Sequence, residues 1–244
     1  MNTKLLSLSL LASLRLSIAH AESTDPLWNQ AVQIASASRD WIAGEVRTVE
    51  QELSRKGDVK NSQETLSLVS QNPDGKIEMK HWRIEKGRRI PHVPEGEEET
   101  PGNSSVSFGP LDLENQSLVH IKRLSDFSLV GGIFCIQYEY ELKTTESPDQ
   151  TLRGVVRINE SNGIPIELTM VPNPLPDSVK SLTMTLTFSS PDAQTIRPAT
   201  MTTDVSASVL LMTQQVRVIQ EFSAFWLLPR DKTKDQNSAP STPK

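Results

Sequence analysis

The sequence predicts a mainly β protein of the α+β type: a large curved antiparallel sheet or half-open β-barrel, with an N-terminal helix packed on the concave face. Two observations support this. A capped amphipathic segment follows Asp25, and much of the chain from residue 131 onward alternates between apolar and polar side chains, as strands with one buried face do. Such a sheet can cover its apolar face by curling around a helix, closing as a barrel or splitting into a sandwich. The patterns do not choose among these three.

The first 21 residues predict an export signal. The basic residue Lys4 precedes an apolar run from Leu5 to Leu14, and Ala19-His20-Ala21 has the small-x-small form of a signal-peptidase site. The run is about half as long as a helix that spans a bilayer. We therefore expect cleavage after Ala21 and a periplasmic or secreted chain with no stable membrane insertion.

Composition limits the classes of function and the domain organisation. The net charge of -5 disfavours nucleic-acid binding, which depends on clustered Lys and Arg. Cys135 is the only cysteine, so the exported chain has no internal disulfide and depends on its core. After a signal peptide at 1–21, we expect one β-rich domain at 22–230 and a disordered tail at 231–244, because the tail is polar and lacks an apolar period.

The first third of the mature chain predicts a helix and an antiparallel meander. Asp25 is an expected N-cap, Pro26 suits the first helical position, and the apolar period supports a helix from Pro26 to Ser38. Three strands are expected to follow, at residues 42–53, 64–70 and 75–85. The turn-forming residues Asn72-Pro73-Asp74-Gly75 join the second strand to the third.

The middle of the chain breaks this pattern. Residues 86–110 contain four prolines, four glycines and the acidic run Glu95 to Glu99, so they predict a loop, which is either a solvated insertion or a lid. Between Leu111 and Leu124, the apolar residues Leu118, Ile121 and Leu124 recur at intervals of three. This spacing predicts a short helix.

The second half alternates more regularly. In GGIFCIQYEYEL (131–142) and SLTMTLTF (181–188), the even-numbered positions are apolar, and threonines occupy the other face of the second stretch. Residues 153–170 carry Asn162-Gly163 between two alternating runs, which is a strong hairpin signal. Two last strands are expected near residues 203–212 and 215–225.

The even-numbered positions share one apolar face, for which two interpretations stay open. Their side chains interdigitate into a solid core, or several of them line a ligand cavity, where flexible methionines would adapt to varied chains. Both interpretations predict burial. The candidate ligand-binding residues are Phe134, Ile136, Tyr138, Tyr140, Ile166, Leu168, Met170, Met184, Leu186 and Phe188.

No motif points to catalysis. The chain lacks HExxH, G-x-S-x-G, a glycine-rich phosphate loop and a CxxC pair. Cys135 has no neighbouring base to activate it, and Glu139 and Glu141 lie on the polar face of their strand, where solvated charge is expected. Histidines at metal-binding spacings are also missing; those after the leader are His81, His92 and His120. We expect no enzyme activity, no catalytic residue, no metal and no cofactor.

The order of these elements resembles that of the periplasmic lipoprotein carriers of the LolA type, a fold shared with lipoprotein-sorting proteins and RseB-like sensors. The phrases GKIEMKHWRI (75–84), RGVVRINESNGIPIEL (153–168) and VRVIQEFSAFWLLP (216–229) are similar to that family, and the resemblance covers most of residues 25–230. It implies a half-open barrel whose concave face accepts acyl chains beneath a helical cover. The carriers have a Lys-Arg-Pro sequence with the Arg facing the cavity, and here His81 stands in the place of that Arg.

These observations predict a non-catalytic exported protein that binds or carries a lipid, a lipoprotein or another hydrophobic ligand in the cell envelope. Burying an acyl chain contributes roughly 0.8 kcal/mol per CH2, so such a carrier needs a wide apolar face and no reactive group. The alternative is an envelope protein-interaction or sensor module with a solid core and no ligand cavity. A third class, a hydrolase, would need a cleft that joins His81 or His120 to carboxylates.

Overall fold

The computed structural model describes residues 25–72, 76–92, 107–143, 149–209 and 212–228. They form one helix, α1 (Pro26–Ser38), two short 3-10 turns and thirteen strands. The strands, in chain order, are β1 Trp41–Ile42, β2 Glu45–Leu53, β3 Val59–Gln71, β4 Ile77–Glu85, β5 Arg88–Pro91, β6 Val119–Val130, β7 Ile133–Lys143, β8 Thr151–Asn159, β9 Pro165–Asn173, β10 Val179–Asp192, β11 Thr195–Val209, β12 Met212–Ser223 and β13 Trp226–Leu227.

Eleven of the strands form one curved sheet, in the order β5-β4-β3-β2-β12-β11-β10-β9-β8-β7-β6, and β1 pairs with β13 in a separate ribbon. Every neighbouring pair is antiparallel, and β5 and β6 are the two edges, so the sheet is open. The pairing of β12 with β2 joins the two ends of the chain. The predicted mainly β architecture with an N-terminal helix is confirmed.

Helix α1 begins and ends where the sequence predicts. Asp25 caps it by accepting hydrogen bonds from the backbone amides of residues 27 and 28, and Pro26 occupies the first helical position, where no amide partner is needed. At the other end, the Ser38 hydroxyl donates to the Ile34 carbonyl (2.7 Å) and accepts from the Ile196 amide (2.8 Å). These last two bonds join the helix to β11.

The core lies between α1 and the β7–β11 part of the sheet. Trp28 is fully buried, and its ring centroid is 5.5 Å from that of Tyr138 on β7. Smaller helix residues allow the backbone to approach the sheet. The buried residues of this core are Trp28, Ala31, Val32, Ile34, Ala35, Phe108, Leu111, Ile136, Tyr138, Tyr140, Leu142, Val156, Ile158, Ile164, Leu168, Leu186 and Ile196.

The predicted helix between Leu111 and Leu124 is wrong. The chain there makes two 3-10 turns, Gly109–Leu111 and Leu113–Asn115, and then enters β6. Leu118 and Ile121 nevertheless pack against the core. The spacing of the apolar residues therefore indicated which side chains are partly buried, although it indicated the wrong secondary structure. A helix would leave β7 without its neighbour, whereas β6 pairs with it along almost its whole length.

Other boundaries also differ from the predictions. The expected strand at 42–53 is two strands, because the chain approaches the C-terminal segment at Gly44, whose amide donates to the Ala224 carbonyl (3.2 Å). β5 forms inside the expected loop at 86–110. The acidic run, the turn at 73–75, the leader and the tail lie outside the described residues. No described helix is long and apolar enough to span a membrane.

Candidate functional site

The register assigns each strand residue to one of two faces, because residues that are directly paired across antiparallel strands point to the same side. We call the side that carries α1 the helix-side face. Tyr138 pairs with Val156, Val156 with Leu168, and Leu168 with Leu186, so these buried residues define that face. The opposite face of the same strands carries threonines and charged residues, as the sequence predicted.

The ten candidate ligand-binding residues are distributed unevenly over this face. Eight belong to the packed core or lie against it, and Met184 is half-buried at its margin. Phe134 is mostly exposed near the end of β7 and lies outside the core. The buried members are Ile136, Tyr138, Tyr140, Leu168 and Leu186, and the partly buried ones are Ile166, Met170 and Phe188. Their role as cavity-lining residues stays a prediction.

Asp25 fixes the helix over this half of the sheet. Its Oδ1 accepts a hydrogen bond from the Tyr138 hydroxyl (2.8 Å) as well as from the helix amides, and Arg123 Nη1 lies 3.3 Å from its Oδ2. On the next turn of chain, Trp28 Nε1 donates to Gln116 Oε1 (2.9 Å), which links the helix to the 3-10 turns. The start of the helix is therefore joined to three separate segments.

The electrostatics of this contact favour a charged Asp25 and a neutral Tyr138. Burial alone would raise the pKa of Asp25, but the hydrogen bonds from Tyr138, Trp28 and Leu27 and the charge of Arg123 lower it, and the net pKa is below the ordinary value. Burial, together with the hydrogen bond to the Asp25 carboxylate, raises the pKa of Tyr138 far above its usual range. The pair therefore keeps one negative charge at neutral pH.

The middle of the core contains an irregular pairing between β8 and β9. Gly154 stands where a Cβ atom would lie 1.9 Å from the Thr169 carbonyl oxygen, so only glycine fits. The Tyr140 hydroxyl donates to that carbonyl (2.9 Å), and the Val155 amide donates to Thr169 Oγ1 (2.9 Å). Burial raises the pKa of Tyr140, so this hydroxyl remains a donor at neutral pH.

Beyond the helix, two rows of side chains cross β10, β11 and β12 on the helix-side face. Within each row, each residue is directly paired with its neighbour on the adjacent strand. The row beside them, in the direction of the packed core, contains buried Leu186 paired with half-buried Met201. All members are half-buried, in contrast to the core beneath the helix. We call these two rows the apolar trough; its members are Leu182, Met184, Val205, Val216 and Val218, with Thr203 among them.

The trough has an apolar end and a polar border. At one end Met184 pairs with Met170, which packs against the core, so the trough continues the core surface. On the other side, β12 pairs with β2, where Glu52 stands opposite Val216 and Glu50 opposite Val218. An apolar surface bordered by carboxylates can hold an apolar body while its charged border remains in water.

The opposite face of the sheet carries an open depression of about 550 Å³. It brings His120 close to two carboxylates, but each carboxylate is in an ion pair: Glu139 Oε2 lies 3.5 Å from Lys122 Nζ, and Glu141 Oε2 lies 2.7 Å from Arg153 Nε. Three of these four charged side chains are more than half exposed, and Glu141 is 37% exposed. The arrangement is typical of a solvated surface of mixed charge.

His81 and Cys135 also have side chains that can take part in catalysis. His81 lies opposite Ser67, on the helix-side face, and its Nδ1 is 2.8 Å from the Ser67 hydroxyl. Cys135 is fully buried, and burial raises the pKa of its thiol, which disfavours the reactive thiolate. The described residues contain no cluster of three or more His, Cys, Asp or Glu that could hold a metal ion.

Comparison with known proteins finds no matching family model and no matching curated protein. Solved structures do match. An outer membrane lipoprotein-sorting protein domain from Vibrio parahaemolyticus is 13% identical, with 86% of this chain and 98% of that chain covered and a TM-score of 0.36. A DUF1329 family protein from Desulfovibrio piger is 11% identical, with coverage of 82% and 91% and a TM-score of 0.38.

A chain of the MucA/MucB complex from Pseudomonas aeruginosa is 9% identical, with coverage of 84% and 100% and a TM-score of 0.28. The matches thus include a lipoprotein-sorting protein domain and MucB, two proteins to which this chain is similar. The TM-scores are low, and the proposals below rest on this chain's own residues.

Of the five apolar trough residues only Met184 was a candidate; Leu182 shares its face in the sequence but was not among the candidates, and the three valines were missed. Val216 and Val218 alternate inside a predicted strand, so their shared face was visible, but nothing marked it as the uncovered part of the sheet. Val205 is flanked in the sequence by threonine, aspartate and serine residues, so no alternating apolar pattern indicates that it lies on an apolar face. Only the pairing of β10, β11 and β12 brings these residues beside Met184.

Proposed function

We propose that the protein is a non-catalytic exported protein of the cell envelope that binds a hydrophobic ligand, such as an acyl chain of a lipid or lipoprotein, along the apolar trough. The observation that carries the proposal is that five apolar side chains on three adjacent strands stay partly exposed beside a packed core. Proteins normally cover such contiguous apolar surface, and where they leave it open it is commonly a binding surface.

The location of the trough explains why the ligand would bind beside the helix and not beneath it. The 13-residue helix is roughly 20 Å long and about 10 Å wide with its side chains, whereas strands are about 4.8 Å apart. It therefore covers only a few of the eleven strands. Under it the side chains are packed, and Trp28 fills the space that an acyl chain would need.

The size and composition of the trough suit an acyl chain. Its outer strands, β10 and β12, are roughly 10 Å apart, and burying about eight CH2 groups would contribute roughly 6 kcal/mol before the costs of association. Met184 and the neighbouring Met170 have flexible side chains that can adapt to chains of different shape. Glu50 at the border would disfavour an anionic headgroup on that side, whereas the charge of Glu52 is offset by Lys60, whose Nζ lies 3.5 Å from Glu52 Oε1.

The first experiment tests whether the trough holds a ligand. The protein is purified from the periplasm of an expressing bacterium, and organic extracts are examined by mass spectrometry. Binding of a fluorescent apolar probe, N-phenyl-1-naphthylamine, is then titrated. We expect co-purified lipid, or saturable binding of the probe to the delipidated protein. A protein that carries no lipid and binds no probe would contradict the proposal.

A matched pair of variants locates the binding. Thr203 lies in the trough, and its neighbour Thr202 lies on the opposite face of the same strand, where it pairs with Thr185. Thr203→Glu places a charge among apolar side chains and should weaken probe binding about tenfold or more. Thr202→Glu should change it less than twofold. Equal effects of the two substitutions would place the binding elsewhere.

The alternative is an envelope protein-interaction or sensor module that uses the sheet as a scaffold. The packed half of the sheet under α1 favours it, since a solid core leaves no room for a ligand there. A clean apo protein whose Thr203→Glu variant behaves like the parent would support this alternative.

A hydrolase remains the third candidate because the outer depression places His120 near Glu139 and Glu141. Activity screening with esters and glycosides tests it, with His120→Ala as the variant. We expect no turnover above the level of the variant. An activity that His120→Ala abolishes would replace the proposal of a binding protein.

A further inference from the structure

The hairpin between β6 and β7 ends in exposed apolar side chains. The exposed fractions are 57% for Phe127, 63% for Leu129, 37% for Ile133 and 66% for Phe134. Residues 127–134, which we call the hairpin tip, contain no charged side chain. Scattered apolar residues are normal on a protein surface, but four large ones within eight residues form a patch with a function to explain.

The hairpin tip projects from the sheet as a two-stranded ribbon. β8 pairs with β7 only as far as Asn159, which stands opposite Cys135, and a single hydrogen bond from the Glu160 amide to the Phe134 carbonyl (3.2 Å) follows. Beyond it, within the described part of the chain, β6 and β7 pair only with each other up to the turn at Gly131 and Gly132, both with positive φ. The backbone bonds of the tip are thus largely satisfied within the hairpin itself.

Both faces of the projecting ribbon are apolar. Leu129 pairs with Phe134 on one face, and Val130 pairs with Ile133 on the other. A protein partner that docks on a sheet covers one face, and the other face would then be expected to be polar. An apolar environment that surrounds the ribbon explains why both of its faces are apolar. The apolar region of a lipid bilayer is such an environment.

The dimensions and charges of the hairpin tip fit the surface of a bilayer. From Leu129 to the turn at Gly131 the projecting ribbon is roughly 7 Å long at about 3.3 Å per residue, and interfacial segments bury their apolar part about 5–10 Å deep. Asp126 precedes the tip in the chain, the Glu160 amide bonds to Phe134, and the nearby Arg157 is ion-paired with Glu167. These charges give no net attraction to anionic lipids, so the fit is to a zwitterionic surface without net charge.

We propose that the hairpin tip inserts into the interface of a zwitterionic lipid bilayer and docks the protein there. Leu129 and Phe134 are the deepest large side chains of one face, and Ile133 is that of the other. The docking does not rest on the trough, because the tip and the trough occupy different strands.

Flotation with phosphatidylcholine vesicles tests the proposal. The protein is purified from the periplasm, so that it carries the N-terminus that export leaves. The tip variant is Leu129→Ser/Phe134→Ser. The matched control is Leu113→Ser/Leu227→Ser, which removes two apolar side chains elsewhere that are also more than half exposed. We expect the parent and the control to float with the vesicles and the tip variant to bind at least tenfold more weakly. Raising the salt from 0.1 to 0.5 M should change binding less than twofold.

A local probe reports insertion directly. Ile133→Cys carries an environment-sensitive fluorophore, and Ser62→Cys, far along the sheet on β3, carries the same label as a control. Because Cys135 is buried, we expect it to stay unlabelled in the folded protein. We expect a blue shift on vesicle addition at position 133 only. Circular dichroism verifies that each variant is folded.

Three results would overturn the proposal. The parent does not float, the tip variant floats as well as the parent, or the label at 133 does not respond. A concentration-dependent dimer that the tip variant abolishes, without vesicle binding by the parent, would assign the tip to self-association instead. The tip variant should still bind the apolar probe normally, so failure of the docking and failure of the trough proposal are separate results.

Discussion

Asp25 is the residue whose replacement tests the structure most directly, because one carboxylate joins the start of α1 to the sheet. Its Oδ1 accepts from the amides of Leu27 (3.0 Å) and Trp28 (3.3 Å) and from the hydroxyl of fully buried Tyr138 (2.8 Å). Asp25→Ala removes the cap and leaves the buried hydroxyl without this acceptor. Asp25→Asn keeps an oxygen at the same place and removes only the charge.

The expected magnitudes follow from these contacts. Loss of an N-cap costs about 1 kcal/mol, and an unsatisfied buried hydroxyl costs about 1–3 kcal/mol. The ion pair with Arg123 adds little, because the Arg123 side chain is 49% exposed. We expect Asp25→Ala to lower the free energy of unfolding by about 2–4 kcal/mol, and Asp25→Asn by about 1 kcal/mol.

The pH dependence has a definite sign. The pKa of Asp25 is lowered in the folded protein, so the stability that its charge contributes is present at neutral pH and is lost as the pH falls below about 4, through the lowered pKa. Asparagine does not titrate. The difference between the parent and Asp25→Asn should therefore be constant from pH 5 to 7 and shrink as the pH falls below about 4.

Urea unfolding followed by circular dichroism, repeated from pH 2 to 7, measures both effects. The reasoning is refuted if Asp25→Ala costs less than about 0.5 kcal/mol, since the helix would then be held by packing alone. It is also refuted if the difference between the parent and Asp25→Asn persists or grows on acidification.

Three further predictions concern the core. Gly154→Ala should cost at least about 2 kcal/mol, because its Cβ would lie 1.9 Å from the Thr169 carbonyl oxygen; an unchanged urea midpoint would contradict the irregular pairing. Trp28→Ala should cost about 3–5 kcal/mol, and Trp28→Phe less, because it loses chiefly the 2.9 Å hydrogen bond to Gln116; equal thermal shifts for the two would show that ring packing contributes little. Cys135 is fully buried and its pKa is raised by burial, so a thiol reagent should label it only at the rate of unfolding, and rapid labelling of the folded protein would refute its placement.

Elements with local signals were predictable from the sequence. α1 has the predicted bounds because its cap and its first-turn proline are neighbours in the chain. The hairpin at Asn162-Gly163 also forms, and Gly163 has the expected positive φ, although the connection between β8 and β9 is five residues long. Its length depends on side-chain bonds within the loop, such as that from the Ile164 amide to Asn162 Oδ1 (3.1 Å).

Elements defined by distant partners were not predictable in the same way. Leu118, Ile121 and Leu124 are spaced as on a helix, but the pairing of β6 with β7 makes this stretch a strand. The candidate site shows the same limit. Phe134 alternates in register with buried Tyr138, but it lies where β8 ends, so nothing covers it and it is exposed.

The sequence by itself determined which side chains could share a face, because alternation along a strand and the capping of a helix are properties of neighbouring residues. Only the tertiary structure decided which part of that face is covered. A helix about 10 Å wide cannot cover eleven strands spaced about 4.8 Å apart, so the position at which Asp25 and Ser38 fix it divides the apolar face into a packed core and an open trough. That position depends on bonds to Tyr138 and Ile196, more than a hundred residues away along the chain.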